Sequence, residues 1–255
     1  MSLHVDLNSD LGEGAGHDAD LFELISSANI ATGFHAGDAD SMHAAIAEAK
    51  AHGVAIGAHP SLWDRENFGR RELPVSPEEV FDAVAYQVGV FAAIAAALGV
   101  RPNHVKPHGA LYNMAVHNPK LADAIARAIK SVDATLILFA PEKTDLARAG
   151  VEQGLQIAHE VFADRNYLAN GELVPRTRPD ALLRDAGEAA ARVLRMLRQG
   201  KVQSVDGIDI DVRVETICVH SDTPGAVEFA RSLRSALEDQ GIAIRSPFPR
   251  RAFAQ

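Results

Sequence analysis

Residues Val54-Ala55-Ile56-Gly57-Ala58-His59-Pro60 decide how this chain folds. Five small apolar residues run without alternation, as they must in a strand covered on both faces. The run stops at an ionisable side chain followed by proline. Upstream, Met42, Ile46 and Ala49 keep a 3.6-residue period that Gly53 ends. Downstream, Ser76-Pro77-Glu78-Glu79 is a capping box with proline at the first helical position. Val80, Val84, Val88, Phe91, Ala95 and Leu98 then share one face as far as Gly99.

The same strand-then-helix unit recurs in both directions. Strands are expected at Leu3–Leu7, Asn29–Phe34, Val54–Ala58, Asn103–Pro107, Thr135–Phe139, Leu155–Val161 and Val214–His220. Helical periods fall on Leu21, Leu24, Ile25 and Ala28, on Leu121, Ile125, Ile129 and Val132 after Asn118-Pro119, and across Asp180–Gln199. The last helix starts at Thr223-Pro224 and turns Val227, Ala230, Leu233 and Leu237 inward. Repeated β-then-α steps with no linker predict one α/β domain over residues 1–255, an irregular (β/α) barrel of about seven parallel strands. Ile242–Ile244 offers an eighth strand, and Val202–Ile210 reads as a hairpin around Asp206-Gly207. The long connections, His59–Val75 and Phe162–Arg178, are candidate binding loops.

Composition narrows the partners. In 255 residues there is one cysteine, which excludes a disulfide framework and any thiolate-rich metal centre. A net charge of −9 argues against nucleic-acid binding. The start has no secretory pattern, and the longest uncharged run, Val88–Val100, is thirteen residues, short for a bilayer. No membrane association and a cytoplasmic location are expected.

The residues just after each strand carry the functional signal. His35, His59, His108 and His220 come after different strands, with Asp6, Asp10, Glu13, Lys106, Glu160 and Asp222 beside them. In a parallel barrel those ends open on one face, where barrel enzymes place their sites. Single residues have plainer readings: Asp38 and Asp222 equally fit helix N-caps, and Arg70-Arg71 fits a solvated pair better than an anion clamp. His4, His17, His43, His52, His104 and His117 are expected to be structural or superficial, and Cys218 to be core. Known signatures fail. Arg195 stands where a phosphate loop ending in Gly200-Lys201 needs glycine, and Ala163 stands where His159-Glu160 would need a second zincin histidine. Gly14-x-Gly16-x-x-Ala19 sits in too acidic a loop for a pyrophosphate, and no Gly-x-Ser-x-Gly elbow occurs. Two chemistries stay open: a divalent metal held by His and carboxylate, or metal-free acid–base work with Asp10 deprotonating water.

Six blocks carry a resemblance: Asp6–Glu13, Ala28–Asp38, Gly57–Ser61, Val105–Asn113, Glu160–Arg165 and Cys218–His220. Together they resemble the LamB/YcsF family. The resemblance implies a seven-stranded barrel related to glycoside hydrolases and polysaccharide deacetylases. It implies the A subunit of an ATP-dependent 5-oxoprolinase acting with separate B and C subunits, with ATP as cosubstrate and 5-oxo-L-proline opened to L-glutamate. Carried onto this chain, the catalytic set is Asp10, His35, His59, Lys106, His108 and Glu160. The substrate-binding set is Asp6, Asn8, Glu13, Asp38, Tyr112, Asp164, Arg165, His220 and Asp222. Ser221 departs from the family pattern, where glycine is expected, and its Cβ should narrow the pocket slightly. The competing readings are a stand-alone metal-dependent amidase or deacetylase, and a non-catalytic substrate-binding subunit.

Overall fold

The structure is a computed structural model and describes residues 3–221 and 225–247. The barrel strands are β1 (His4–Leu11), β2 (Ser27–Ala31), β3 (Ala55–His59), β4 (His104–Val105), β5 (Ile137–Ala140) and β6 (Gln156–Phe162). A two-stranded hairpin, β7 (Lys201–Gln203) and β8 (Asp209–Asp211), precedes the last barrel strand, β9 (Thr216–Val219), and β10 (Ala243–Ile244) follows. The helices are α1 (Asp18–Phe22), α2 (Ala39–His52), α3 (Pro77–Ala97), α4 (Gly109–Ala115), α5 (Pro119–Val132), α6 (Asp145–Glu152), α7 (Ala186–Gln199) and α8 (Ala226–Asp239).

Strands β1 to β6 pair in sequence order, all parallel, and β9 pairs with both β6 and β1, which closes a seven-stranded barrel. β1 makes the closure possible by changing partners along its length. His4 and Val5 pair with β10, and Asp6–Ser9 pair with β9. The eighth strand is therefore an appendage at the foot of β1. The hairpin is antiparallel, as its Asp206-Gly207 turn dictates.

β1 runs to Leu11, four residues past its expected end, because Asn8 and Asp10 are satisfied inside the barrel and Ser9, on the other face, donates to the Val219 carbonyl. β2 lies earlier than expected, which leaves His35 on the loop beyond it. α7 starts at Ala186, not near Asp180. Asp185 caps it, and the segment before it is held to the preceding loop by an Arg165–Leu182 bridge. α4 and α6 are additional to the expected helices. The expected start of α8 at Thr223-Pro224 lies outside the described residues.

The capping box at Ser76 is present, with the Ser76 and Glu79 side chains each accepting from the other's backbone N–H. α3 then runs 21 residues, long and apolar enough by composition to cross a bilayer. In this fold its Val80, Val84, Val88, Phe91 and Ala95 face is buried, and the helix packs against α5 and β3.

Candidate active site

Successive strand residues point to opposite faces, so Asp6, Asn8 and Asp10 climb the barrel interior along β1. Asp6 lies at the floor. Its carboxylate accepts from Ser26 and Ser27 at 2.6 and 2.7 Å and from Thr216 at 2.6 Å. Burial nevertheless pushes its pKa up to about 6. Asn8, one step higher, donates to Thr216 at 2.6 Å and to Glu160 at 3.2 Å. Asn29 stands opposite Asp10 in register and ties Asn8 (2.7 Å) to Asp10 (2.8 Å).

Lys106, just beyond β4, is the cation of this interior. Its Nζ lies 3.0 Å from Asp10 Oδ1, 3.0 Å from Glu160 Oε1 and 3.0 Å from Cys218 Sγ. Burial alone would lower the ammonium, but Asp10, Cys218 and Glu160 outweigh it and hold the lysine well above its usual value. Burial would likewise raise Asp10, but His59 and Lys106 prevail and keep it well below the carboxylate range. Tyr112 closes the set by donating to Glu160 Oε2 at 2.8 Å.

A wall of histidines stands beside Asp10. His59 Nδ1 donates to the Lys106 carbonyl at 2.6 Å, and His108 Nε2 donates to the Phe68 carbonyl at 2.9 Å. The inner nitrogens, His59 Nε2 and His108 Nδ1, face each other at 2.9 Å with the rings at 84°. Asp10 Oδ2 is 3.4 Å from His59 Nε2. Glu13 Oε1 is 3.5 Å from His108 Nδ1 and 2.9 Å from His35 Nε2. His35 stacks behind His108, centroids 3.9 Å apart and planes 6° apart. Burial, then His59, drives His35 down to about 2, so it is neutral.

The connection after β3 builds this wall. Gly69 occupies the left-handed region (φ +65°), where a Cβ would meet Ser61 Oγ and lie 2.8 Å from His35 Cβ and 2.9 Å from His108 Cδ2. Its carbonyl accepts from Ala110 N at 2.8 Å, and Arg65 donates to the Gly33 and Gly37 carbonyls at 2.8 Å each. The loop is thereby clipped over the histidines from both sides.

These groups open on a cavity of about 720 Å³ whose lining includes Asp10, Glu13, His59, Lys106, His108, Tyr112, Glu160, Arg165 and His220. Several expected site residues are elsewhere. His35 backs the wall, and Asp6 and Asn8 lie in the barrel interior, none of them on the lining. Asp164 is buried and accepts from His220 Nδ1 at 2.8 Å, so it orients that ring. Asp38 is a correction. It is exposed and caps α2, accepting from Ser41 N at 2.9 Å, and a side chain that short, spent on its own helix, does not reach the cavity. Asp222 lies outside the described residues.

Other groups escape a reading of the sequence. Asn29 and Thr216 wire the interior, although a polar residue within an apolar strand is a visible signal. His104 is structural as expected, but fully inside the barrel. Its Nε2 donates to Asn29 Oδ1 at 2.8 Å, and the ring stacks on Phe139 and lies where Gly57 leaves room for it. Cys218 is core as expected, and burial keeps it a thiol with its pKa well above the usual value. Arg70 lines the cavity and packs over Phe68, whereas Arg71 pairs with Asp64 at 3.3 Å. Ser221, in place of the expected glycine, lines the cavity and donates to the Asp10 carbonyl at 2.6 Å.

Similar proteins agree with this architecture. A 5-oxoprolinase A subunit of Bordetella pertussis is 48% identical over 251 residues, 96% of this chain and 100% of the relative. A 5-oxoprolinase A subunit of Oceanobacillus iheyensis is 49% identical over 250 residues, 96% of this chain and 97% of the relative. The crystal structure of a lactam utilization protein from Thermus thermophilus has a TM-score of 0.90 at 46% identity, covering 96% of this chain and 100% of that one. A T48 deacetylase solved with substrate has a TM-score of 0.51 at 15% identity, covering 96% of this chain and 89% of that one, and shares the fold alone. The model of the LamB/YcsF family matches residues 5–252, almost the whole sequence, and the chain belongs to the LamB/YcsF family.

Proposed function

We infer that this chain is the A subunit of a 5-oxoprolinase, a hydrolase that opens the lactam of 5-oxo-L-proline to L-glutamate with ATP, alongside B and C subunits in the cytoplasm. One observation carries the reading: relatives of that name match it end to end at nearly half identity. The cavity chemistry supports it.

A five-membered lactam resists attack because amide resonance feeds its carbonyl. Transfer of the ATP γ-phosphoryl group to the lactam oxygen makes the ring carbon far more electrophilic. One water then adds to that carbon and the carbon–nitrogen bond breaks, with a proton passing to nitrogen. A second water releases phosphate from the acyl phosphate and leaves glutamate. Such an activated carbon needs only a weak base, which suits Asp10, held ionised beside Lys106 and His59. Lys106 stabilises negative charge growing on the former lactam oxygen. Arg165 suits the substrate carboxylate. It is buried at the cavity, with one NH2 group donating to the Val174 carbonyl at 2.6 Å and its Nε left unpartnered. Arg70, Lys143 and Arg176 line the outer cavity and supply cations for phosphate. With no phosphate loop in the sequence, any nucleotide contact made by this chain uses another kind of site.

The test is glutamate release from 5-oxoproline and ATP, by this chain alone and with its B and C partners. Turnover is expected only with the partners. Asp10→Ala should abolish it with the far-UV circular dichroism unchanged; near-normal turnover would remove Asp10 from the mechanism.

A further inference from the structure

We propose that His59, His108 and Glu13 form a binding site for one divalent transition-metal ion of the zinc class, with Asp10 beside it.

Hydrogen-bond direction comes first. A backbone carbonyl only accepts, so the Lys106 carbonyl fixes the proton of His59 on Nδ1, and the Phe68 carbonyl fixes that of His108 on Nε2. When both rings are neutral the inner nitrogens are bare lone pairs that face each other at 2.9 Å, and the proton that His59 otherwise holds towards Asp10 is what a metal ion replaces. Two acceptors that close repel unless positive charge lies between them. Outer-nitrogen bonds to backbone carbonyls are also the usual way a protein orients metal-binding histidines.

Geometry selects the ligands. The His59 and His108 rings stand at 84°, so their in-plane lone pairs can converge on one point. Glu13 Oε1 lies 3.5 Å from His108 Nδ1 and 3.8 Å from His59 Nε2, and Asp10 Oδ2 lies 3.4 Å from His59 Nε2. A tetrahedral ion with ligand bonds of about 2.0–2.2 Å holds its donor atoms about 3.3–3.6 Å apart. Among His59, His108 and Glu13 the separations run from 2.9 to 3.8 Å and bracket that spacing. One Asp10 oxygen is committed to Lys106 and Asn29, which leaves Oδ2 facing the site, where it can take a proton from a water on the ion. Two carboxylates and two neutral imidazoles balance a double positive charge.

The same geometry rejects the obvious three-histidine site. His35 lies parallel to His108 with centroids 3.9 Å apart, so its lone pairs lie in a separate plane and cannot meet an ion in the plane of His108. Its Nε2 is instead 2.9 Å from Glu13 Oε1, where an N–H holds that carboxylate in place. His35 is also absent from the cavity lining, whereas His59, His108, Glu13 and Asp10 are on it. An ion among these four would meet water or ligand from the cavity. Mixed imidazole and carboxylate donors favour Zn²⁺, Co²⁺ or Fe²⁺ over Mg²⁺ or Ca²⁺.

The experiment uses the full chain alone, stripped with chelator and titrated with Co²⁺ and then Zn²⁺, without lactam or ATP. One equivalent of Co²⁺ should give visible absorption that Zn²⁺ displaces, and Zn²⁺ should raise the melting temperature. His108→Ala and Glu13→Gln should weaken binding at least about a hundredfold, and His35→Ala about ten- to a hundredfold, as expected for a residue that orients a ligand. His52→Ala, at an exposed position on α2, should bind normally. Wild-type protein that takes up no Co²⁺, Zn²⁺ or Mn²⁺ at one equivalent overturns the site, and the two nitrogens then share a proton. An unchanged Co²⁺ spectrum in His59→Ala/His108→Ala also overturns it. The wild-type titration decides even where a variant fails to fold. Loss of glutamate formation with Zn²⁺ still bound would count against the lactam reading and leave this site standing.

Discussion

Lys106 shows how much one side chain carries. It sits 3.0 Å from each of two buried carboxylates, and its removal leaves Asp10 and Glu160 inside the barrel with no cation between them. Stranding buried charge in this way costs about 3–5 kcal/mol. Lys106→Met should lower the unfolding free energy by that amount in urea titrations, and Lys106→Met/Glu160→Gln should recover part of it. Neither should recover glutamate release if the ammonium also serves the reaction, whereas activity returning in the double variant would make the lysine purely structural. Lys106 and Glu160 are legible in the sequence because an ionisable residue at the end of an apolar strand rarely has a plainer role. Asp38 is not. A helix N-cap and a site carboxylate look alike along a chain, and only the third dimension shows Asp38 turned back onto Ser41. Ser26 has its partner distant in sequence and nothing local announces it, and Asn29 and Thr216 show only as polar residues within apolar strands, with no sign of what they join.

Among the elements, the loop between β3 and α3 matters most. It brings Phe68 O to His108 and packs Gly69 against His35 and Ser61. Gly69→Ala combines a left-handed backbone that costs an L-residue about 1–2 kcal/mol with a Cβ overlap of similar cost. A loss of about 2–4 kcal/mol in urea unfolding is expected, and Co²⁺ affinity should fall with it, because the same loop fixes the His108 proton. A variant as stable as wild type would show that the loop tolerates a Cβ. Element types are largely legible from period and caps, and boundaries are not. β1 reads short because Asn8-Ser9-Asp10 does not look like a strand until the closed barrel offers partners. α4 and α6 are seven and eight residues long, too short for their periods to stand out. α7 reads long because its approach segment shares helical composition, and a tertiary bridge holds that segment away from the helix.

For the whole molecule, barrel closure turns a stack of polar residues into a pH response. The closed ring is legible from repeated β–α steps, but the layered interior is not, since it depends on the register of β1 against both β2 and β9. That interior holds two groups whose titrations oppose each other. Burial, then Lys106, lowers His104 to about 3 from its usual 6.5. Its contribution is whole above pH 6.5 and is lost as pH falls towards 3, because the unfolded chain takes up a proton that the fold refuses. Burial raises Asp6 from 3.8 to about 6. Its contribution is whole below pH 3.8 and is lost as pH rises through 6, because the unfolded chain releases a proton that the fold retains. Between pH 4 and 6 each group is worth about 1.4 kcal/mol per pH unit, with opposite signs. Asp6 therefore flattens the acid side of the stability profile. Asp6→Asn keeps the shape and removes the titration. In chelator-treated protein, the gain of the variant over wild type should grow by about 2 kcal/mol between pH 4 and pH 6.5 in urea unfolding. A difference that stays constant across that range would mean that Asp6 is ionised in the fold throughout, with its three hydroxyl donors outweighing the cost of burial.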